Sequence, residues 1–445
     1  MAKRRVTNRA RVWGGFVKIA IVHDWLVTYA GAERVLEQML DCYPDADLFT
    51  LVDFLGDDER GFLGGRRPVT SFVQRLPFAR RRYRDYLPLM AHGVEQFDLS
   101  AYDLVISSSF AVAKGALTGP DQLHIAYVYS PMRYAWDLQH QYLRESGLTG
   151  GLRGLAARWM LHRMRLWDVR TAHGVDRYVA ISRYIARRVR KAYGREASVI
   201  NPPVDTAFFT PGRAPRRPDT YLTASRLVPY KRVDAIVAAF AHLSNRRLIV
   251  IGDGPQRRRI EAMAPANVTL LGRQPAESLR NHMRQARAFI FAAEEDFGIA
   301  PLEAQACGTP VIAFERGGAR ETIRGPDHDR PTGAFFAEQS PAAIAEAVRA
   351  FEGAPVPVEP ADCRANAVAF GAERFRAEFM GFVEAAWDAH RAELAAPTWA
   401  PDPAHARLPA KPATKPATKP TSMRPARPTA KARRAGTGRA GAKGH

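Results

Sequence analysis

The stretch EEDFGIAPLEAQACGTPVIAF, from Glu294 to Phe314, carries the clearest structural signal in this chain. An apolar run ends just before it, and the residues up to Gly298 then form a loop. Pro301 suits the first turn of a helix, because the amide hydrogen that proline lacks is not needed there. Gly308 ends that helix, and PVIAF reads as a short buried strand. Strand, helix and strand in this order are typical of a parallel sheet covered by helices.

The same alternation of short apolar runs and longer amphipathic segments runs through most of the chain. The predicted strands are VKIAIV, DLVISSS, HIAYVY and DRYVAIS in the first half and TYLTASR, RLIVIG, VTLLG, AFIFAA and PVIAF in the second. Asn201-Pro202-Pro203 interrupts the pattern between the two series. We therefore predict an α/β protein with two doubly wound domains, at residues 17–200 and 201–370, and a last helix at 371–396. Since ligands bind beyond the carboxyl ends of such strands, two facing domains would form a cleft.

Composition fits a two-domain protein with long basic ends. The chain has 445 residues, of which 46% are hydrophobic, and three widely spaced cysteines, which suits a reducing cytosol. Of the net charge of +20, residues 401–445 carry +10 and residues 1–12 carry +5. We predict that residues 1–16 and 397–445 are disordered, because such low-complexity segments cannot bury a core. No apolar run approaches the roughly 20 residues that span a bilayer.

Two acids flank a small turn in the opening stretch. Glu295 and Glu303 stand eight residues apart, with Phe297-Gly298-Ile299 between them. The first would lie at a strand tip and the second more than one turn into the helix, so the two can reach different parts of one extended ligand. Between them the helix start exposes amide hydrogens and the positive end of its dipole, which is the kind of anion site that phosphates use.

A pair of cations is predicted to face those acids. Arg226 follows a strand tip, and Lys231 comes five residues later, near a helix start. Two cations in such a place can hold a diphosphate without a metal ion. No DxD-type pair or histidine cluster in this half suggests a bound metal. Taken singly, each of these charges is more often an ordinary surface residue, so the prediction depends on their order and context.

The ordered set SRL..YK, GDGP, LLGR, E-x7-E and GTPVIAF resembles the signature of the retaining glycosyltransferases of family 4, also called group 1. In the first half, HDWL, GAERV, YSPMRYAWD and AISRYIARR are similar to the bacterial mannosyltransferase-like branch. The resemblance spans roughly residues 17–396. It implies a GT-B fold, in which two Rossmann-like domains face a cleft. The second would hold the nucleotide sugar, the first would hold the acceptor, and the last helix would cross back to the first.

The resemblance also implies roles for individual residues. Arg226 and Lys231 would bind the diphosphate and stabilise its leaving charge, Glu295 would contact the transferred sugar, and Glu303 would hydrogen-bond the ribose. The remaining implied donor-binding positions are the backbone of Phe297, Gly298 and Ile299, then Gly272 and Arg273 beside the nucleobase, and Gly31 across the cleft. No cofactor and no metal are expected beyond the GDP- or UDP-linked donor itself.

One position departs from the family pattern. Many relatives have a histidine after the strand that is HIAYVY here, whereas this chain has Tyr129. Tyrosine can hydrogen-bond but cannot act as a cation at neutral pH. Either the donor preference is altered, or Tyr129 and Arg133 take over the donor contact. His124, at the start of the same strand, is predicted to be structural.

The resemblance predicts a retaining, metal-independent transfer of a sugar, most plausibly mannose from GDP-mannose. The acceptor would be a glycan or a polyprenyl-diphosphate-linked glycan in surface polysaccharide or lipopolysaccharide synthesis. The expected location is the cytoplasm, with peripheral contact at the inner membrane face as an option. Arginine-rich segments such as RLWDVR and RYIARRVRK are either solvated faces or contacts to an anionic membrane. The alternative is an inactive scaffold whose basic tails bind nucleic acid or anionic lipid; no specific nucleic-acid partner is expected.

Overall fold

The computed structural model describes residues 10–12, 15–213 and 215–396. Its strands are β1 (Ala10–Val12), β2 (Gly15–Val17), β3 (Ile19–His23), β4 (Asp47–Thr50), β5 (Val69–Thr70), β6 (Leu104–Ser109), β7 (Leu123–Val128), β8 (Arg177–Ala180), β9 (Ser198–Val199), β10 (Arg217–Ala224), β11 (Arg247–Ile251), β12 (Val268–Gly272), β13 (Ala286–Phe291), β14 (Val311–Phe314) and β15 (Gly333–Phe336). Its helices are α1 (Gly31–Cys42), α2 (Ala79–Arg82), α3 (Leu87–Glu95), α4 (Gln139–Glu145), α5 (Gly151–Ala172), α6 (Arg183–Tyr193), α7 (Val233–Ala239), α8 (Arg257–Met263), α9 (Ala276–Gln285), α10 (Ile299–Ala306), α11 (Ala319–Thr322), α12 (Pro341–Glu352), α13 (Pro360–Val368) and α14 (Ala372–Ala395).

Two parallel sheets organise these elements. The first has seven strands in the order β5-β4-β3-β6-β7-β8-β9, and the second has six in the order β12-β11-β10-β13-β14-β15. In each sheet the strand order reverses once, between β3 and β6 and between β10 and β13. Helices connect the parallel strands, as the alternation in the sequence predicted. The predicted pair of doubly wound, Rossmann-like sheets is confirmed.

The reversal points determine where a ligand can bind, because a crevice opens there beyond the carboxyl ends of the strands. In the first sheet His23 ends β3 and Ser109 ends β6. In the second sheet the loop with Arg226 follows β10, and the loop with Glu295 follows β13. The topology therefore gathers the predicted cations and the predicted acid at one crevice.

A shared core joins the two halves. Phe297 and Leu302, from the second half, are buried in one apolar cluster with Leu36 and Ile181 of the first half. Helix α14 packs against α1 and β7, and the ring of its Phe375 lies 5.9 Å from that of Tyr127. The described residues up to Ala395 form one compact unit. None of the described helices is long and apolar enough to cross a bilayer.

The N-terminal prediction needs correction. Strands β1 and β2 pair antiparallel, with Ala10 opposite Val17, although residues 1–16 were expected to be disordered. The central strand β3 begins only at Ile19, because Val17 belongs to this hairpin. A hairpin satisfies the backbone hydrogen bonds of a short segment locally, without the long apolar run that we looked for. Residues 1–9 and the predicted disordered tail at 397–445 lie outside the described residues.

Candidate active site

Two neighbouring strand-end loops of the second half touch through their backbones. A side chain at Gly252 would place its Cβ 1.8 Å from the carbonyl oxygen of Ser225, and one at Gly254 would lie 2.4 Å from that of Leu227. Only glycine permits this approach. The IGDGP segment is therefore a turn that supports the loop carrying Arg226. Arg226 itself is exposed.

Lys231 lies opposite Glu295, as predicted. It ends a short 3-10 helix that follows β10, and its amine forms an ion pair with the Glu295 carboxylate. The two side chains are 13% and 20% exposed, so the pair is largely shielded from water. Burial, and then the guanidinium of Arg133, lower the pKa of Lys231 to about 7. The nearby Asp296 carboxylate opposes part of that downward shift in the pKa of Lys231.

The loop after β13 is held in shape by the loop after β14. Gly318 donates its amide hydrogen to the carbonyl of Glu295 over 2.7 Å, and a Cβ at Gly317 would lie 2.2 Å from that oxygen. Gly298 then adopts a φ of 91°, a left-handed conformation that favours glycine. The start of the Glu-x7-Glu segment is therefore held in one conformation by backbone contacts to the loop after β14 and by the left-handed turn at Gly298.

The start of α10 faces the start of α1. A Cβ at Gly31, the first residue of α1, would lie 3.1 Å from the Cδ1 atom of Ile299, the first residue of α10. Each helix N-terminus carries a positive partial charge and unpaired amide hydrogens. The two helix starts therefore place amide donors from both halves of the chain at the crevice.

The acid predicted to bind a ribose already has a protein partner. Glu303 is 7% exposed and pairs with the guanidinium of Arg34, which comes from α1 in the other half. Arg34 also lines an open cavity of about 870 Å³. Other residues at that cavity are Tyr29, Phe208, Arg364 and Arg374. No local sequence pattern indicated Arg34, because its partner lies 269 residues away.

A second cluster between the halves centres on Asp296, which the sequence analysis also missed. Its carboxylate is 7% exposed and accepts from Arg133 and, over 3.2 Å, from Arg188. The hydroxyl of Ser182 donates to its backbone carbonyl over 2.6 Å. Arg133 was predicted to contact the donor, and here it neutralises a residue next to Glu295. This cluster fixes the loop after β13 against the first half.

Tyr129 supports the start of α1. Its hydroxyl donates to the carbonyl of Ala32 over 3.0 Å and also contacts the hydroxyl of Ser108, 3.0 Å away. Ser108 in turn contacts the Nδ1 atom of His23 over 3.0 Å. The tyrosine that stands where many relatives have a histidine is thus engaged with the first turn of α1, next to Gly31.

If a nucleotide sugar binds here, as the family resemblance implies, Tyr129→Phe should weaken its binding about tenfold, with a smaller effect on turnover, because a lost buried hydrogen bond costs about 1–1.5 kcal/mol. The change frees the turn that begins at Gly31. Steady-state kinetics should show KM rising more than kcat falls. Tyr127→Phe is the matched control, since the Tyr127 hydroxyl donates to Ile200 over 2.9 Å within the core. Equal KM changes in both variants would contradict this positioning role.

Two buried groups that resemble catalytic residues are structural. The Asp24 carboxylate accepts amide hydrogens from Phe110, Ala111, Val112 and Ala113 at 2.6–2.9 Å, which locks the loop after β6. His124 is fully buried between Ser107 and the carbonyl of Gly174, as predicted. Burial lowers the pKa of His124 to about 4, so its ring is neutral.

The other predicted donor positions lie at the same sheet edge. Gly272 ends β12 with a φ of 68° and accepts the amide hydrogen of Gly252 over 2.9 Å. Arg273 follows and is exposed. Among the residues that the structure describes, no group of histidine, cysteine, aspartate or glutamate side chains is arranged to hold a metal ion.

Comparison with known families identifies the chain. Residues 205–368 match the family model described as Glycosyl transferases group 1, and residues 29–208 match Glycosyltransferase Family 4. The chain belongs to the group 1 glycosyltransferases of family 4. The two matches meet where the structure passes from one sheet to the other, and together they contain Tyr129, Lys231, Glu295 and Glu303.

Sequence relatives of this family member include mannosyltransferases. It is 33% identical over 178 residues to a GDP-mannose-dependent monoacylated alpha-(1-6)-phosphatidylinositol monomannoside mannosyltransferase of Corynebacterium glutamicum. The match covers 34% of this chain and 47% of that protein. A similar GDP-mannose-dependent mannosyltransferase of Mycolicibacterium smegmatis is 32% identical, with 35% and 48% covered. The chain spans about half the length of the curated relatives it matches.

Solved structures agree on the fold. A sucrose-phosphate synthase from Thermosynechococcus elongatus matches with a TM-score of 0.64 and 18% identity, covering 84% of this chain and 100% of that one. The Anabaena protein HepE in complex with UDP and glucose matches with a TM-score of 0.58 and 16% identity, covering 83% and 99%. The protein therefore has the GT-B arrangement of two Rossmann-like domains that the resemblance implied.

Proposed function

We propose that this protein transfers a glycosyl group from a nucleotide sugar to a glycan or lipid-linked acceptor with retention of configuration, and that the donor is GDP-mannose. The observation that carries the proposal is the meeting of Lys231 and Glu295 where the starts of α10 and α1 face each other. A nucleotide sugar needs this combination, because it places a diphosphate next to a polar sugar ring.

The proposed chemistry is electrostatic. The bond between C1 of the sugar and the diphosphate oxygen breaks, and its electron pair stays on the diphosphate. Lys231, Arg226 and the amides at the start of α10 stabilise that charge, which is the role that preorganised donors have in many enzymes. Glu295 orients the sugar hydroxyls. The acceptor hydroxyl attacks C1 from the face that the diphosphate leaves, and its proton passes to a diphosphate oxygen.

Donor binding must displace two internal ion pairs. Lys231 would exchange Glu295 for the diphosphate, and Glu303 would exchange Arg34 for the ribose hydroxyls. On binding, Lys231 would gain the diphosphate as its new counter-charge, whereas Glu295 and Glu303 would exchange an ion pair for hydrogen bonds from hydroxyl groups. In this proposal Arg226 and Lys231 take the place of a metal ion at the diphosphate.

The choice of GDP-mannose is supported by the two mannosyltransferases of C. glutamicum and M. smegmatis, whose names state that donor. We expect GDP-mannose to bind in calorimetry at least tenfold more tightly than UDP-glucose, UDP-galactose or UDP-N-acetylglucosamine, without added metal. A preference for a UDP-sugar would overturn the choice of donor and leave the reaction class standing. Failure of every nucleotide sugar and of GDP itself to bind would favour the inactive-scaffold alternative.

A further inference from the structure

Helix α5 exposes an apolar stripe that no other part of the described chain covers. Leu152, Leu155, Trp159 and Leu166 are 85%, 65%, 65% and 53% exposed. They are spaced three, four and seven residues apart, which puts them on one face of a helix. Of the thirteen large apolar side chains that are exposed in the described residues, four lie on this one face of α5.

The opposite face of α5 explains its attachment to the protein. Gly154, Leu161, Met164 and Asp168 are buried against the first half. Asp168 lies 2.8 Å from the amine of Lys114 in a fully buried ion pair. Helix α5 is therefore attached to the first half through its buried face, and the exposed stripe takes no part in that attachment.

The charge on α5 is strongly one-sided. The helix contains five arginines, and its single acid is Asp168, which is buried. Arg153 and Arg163 are exposed between the apolar residues, and the exposed Arg170 pairs with Glu95 of α3. A helix with leucine and tryptophan flanked by arginines on its outer face is suited to the headgroup region of a bilayer.

We propose that α5 docks the protein on an anionic lipid bilayer, with Leu152, Leu155, Trp159 and Leu166 inserted at the headgroup level. This deepens the proposed function, on which it rests for the lipid-linked nature of the acceptor. A second copy of the chain is a poorer occupant, because pairing two such faces would bring arginines against arginines with no exposed acid on either helix. Anionic lipid supplies the missing negative charge.

The position of α5 in the fold agrees with this role. The chain leaves the carboxyl end of β7 at Val128, passes Arg133 at the crevice, and enters α5 at Gly151. The end of α5, at Ala172, leads to the amino end of β8. The first residues of the stripe therefore lie toward the edge of the sheet where the crevice opens. An acceptor held in the bilayer would enter from that side.

The test compares the full-length protein with the double variant Leu155→Ser/Trp159→Ser. The control is Met380→Ser/Leu394→Ser, which removes two apolar side chains of α14 that are 44% and 46% exposed. Binding is measured by flotation with vesicles of phosphatidylcholine and phosphatidylglycerol, at a salt concentration that screens attraction by the basic tail. We expect the α5 variant to lose at least about tenfold in apparent affinity and the control to match the wild type.

Unchanged vesicle binding by the α5 variant would overturn the proposal. A change in sedimentation coefficient without a change in vesicle binding would also overturn it, in favour of a second copy as the occupant. Titration with GDP-mannose separates the two proposals, because the α5 residues lie outside the donor site. If the α5 variant loses vesicle binding and keeps normal donor affinity, both proposals are supported. If the α5 variant loses vesicle binding but even the wild type binds no donor, docking by α5 stands and the proposed function is wrong.

Discussion

Lys231→Ala is expected to lower kcat/KM for GDP-mannose by about 10²–10³-fold, or about 3–4 kcal/mol, which is the usual loss when one preorganised donor to a developing charge is removed. The ammonium is largely shielded and lies beside the start of α10, where the leaving diphosphate would gain charge. The measurement is the rate of donor consumption under subsaturating donor. Lys191→Ala is the control, since Lys191 is exposed in the last turn of α6.

Lys231 could influence the reaction solely by holding Glu295, and binding of GDP alone distinguishes this from a direct role. GDP carries the diphosphate but no sugar. If Lys231 binds the diphosphate, GDP affinity should fall in Lys231→Ala and stay near normal in Glu295→Gln. If the lysine only orients the glutamate, both variants should bind GDP as the wild type does, and our assignment of Lys231 to the diphosphate would be wrong.

Asp296→Asn is expected to destabilise the protein by about 3 kcal/mol, because breaking a buried ion pair from one side leaves the other charge uncompensated. Arg133 and Arg188 both lose the Asp296 carboxylate, at side chains that are 27% and 12% exposed, although Arg188 keeps its pair with Asp137. Their partial exposure puts the expected loss at the lower end of the usual range. The free energy of unfolding in urea is the quantity to compare.

Asp137→Asn provides a matched control for Asp296→Asn. Asp137 pairs with the same Arg188 but is 49% exposed, so its pair should contribute no more than about 1 kcal/mol. Because Asp296 joins the two halves and is adjacent to Glu295, its variant should also weaken donor binding, while Asp137→Asn should not. Similar losses of stability in the two variants would show that the burial of Asp296 does not matter.

Much of the fold can be predicted from local sequence patterns. The strands HIAYVY and VTLLG and the helix that contains Pro301 all lie where the sequence predicted them. These features depend on neighbours within one or two turns, so a short window contains the whole cause. The hairpin of β1 and β2 was missed because its segments are short and carry no long apolar run.

The candidate site also has features that the sequence predicts and features that it does not. The order of Arg226, Lys231, Glu295 and Glu303 in the sequence, together with the strand and helix ends around them, was enough to predict one crevice for all four. The roles that we give them remain proposals. What the sequence could not indicate is the partner that each side chain has in the folded protein.

Those partners are a property of the tertiary structure. The pairs Arg34–Glu303 and Arg133–Asp296 join residues 269 and 163 positions apart. Periodicity predicts which face of an element is buried, but a charged side chain can be neutralised by any residue that folding brings near it. The exposed stripe on α5 is also decided by the tertiary structure. Leucine and tryptophan at helical spacing usually indicate a buried face, and only the packing of the other elements shows that this face is exposed. Local sequence patterns determined the two sheets. The tertiary structure decided which charges meet at the crevice and which apolar face of α5 stays exposed.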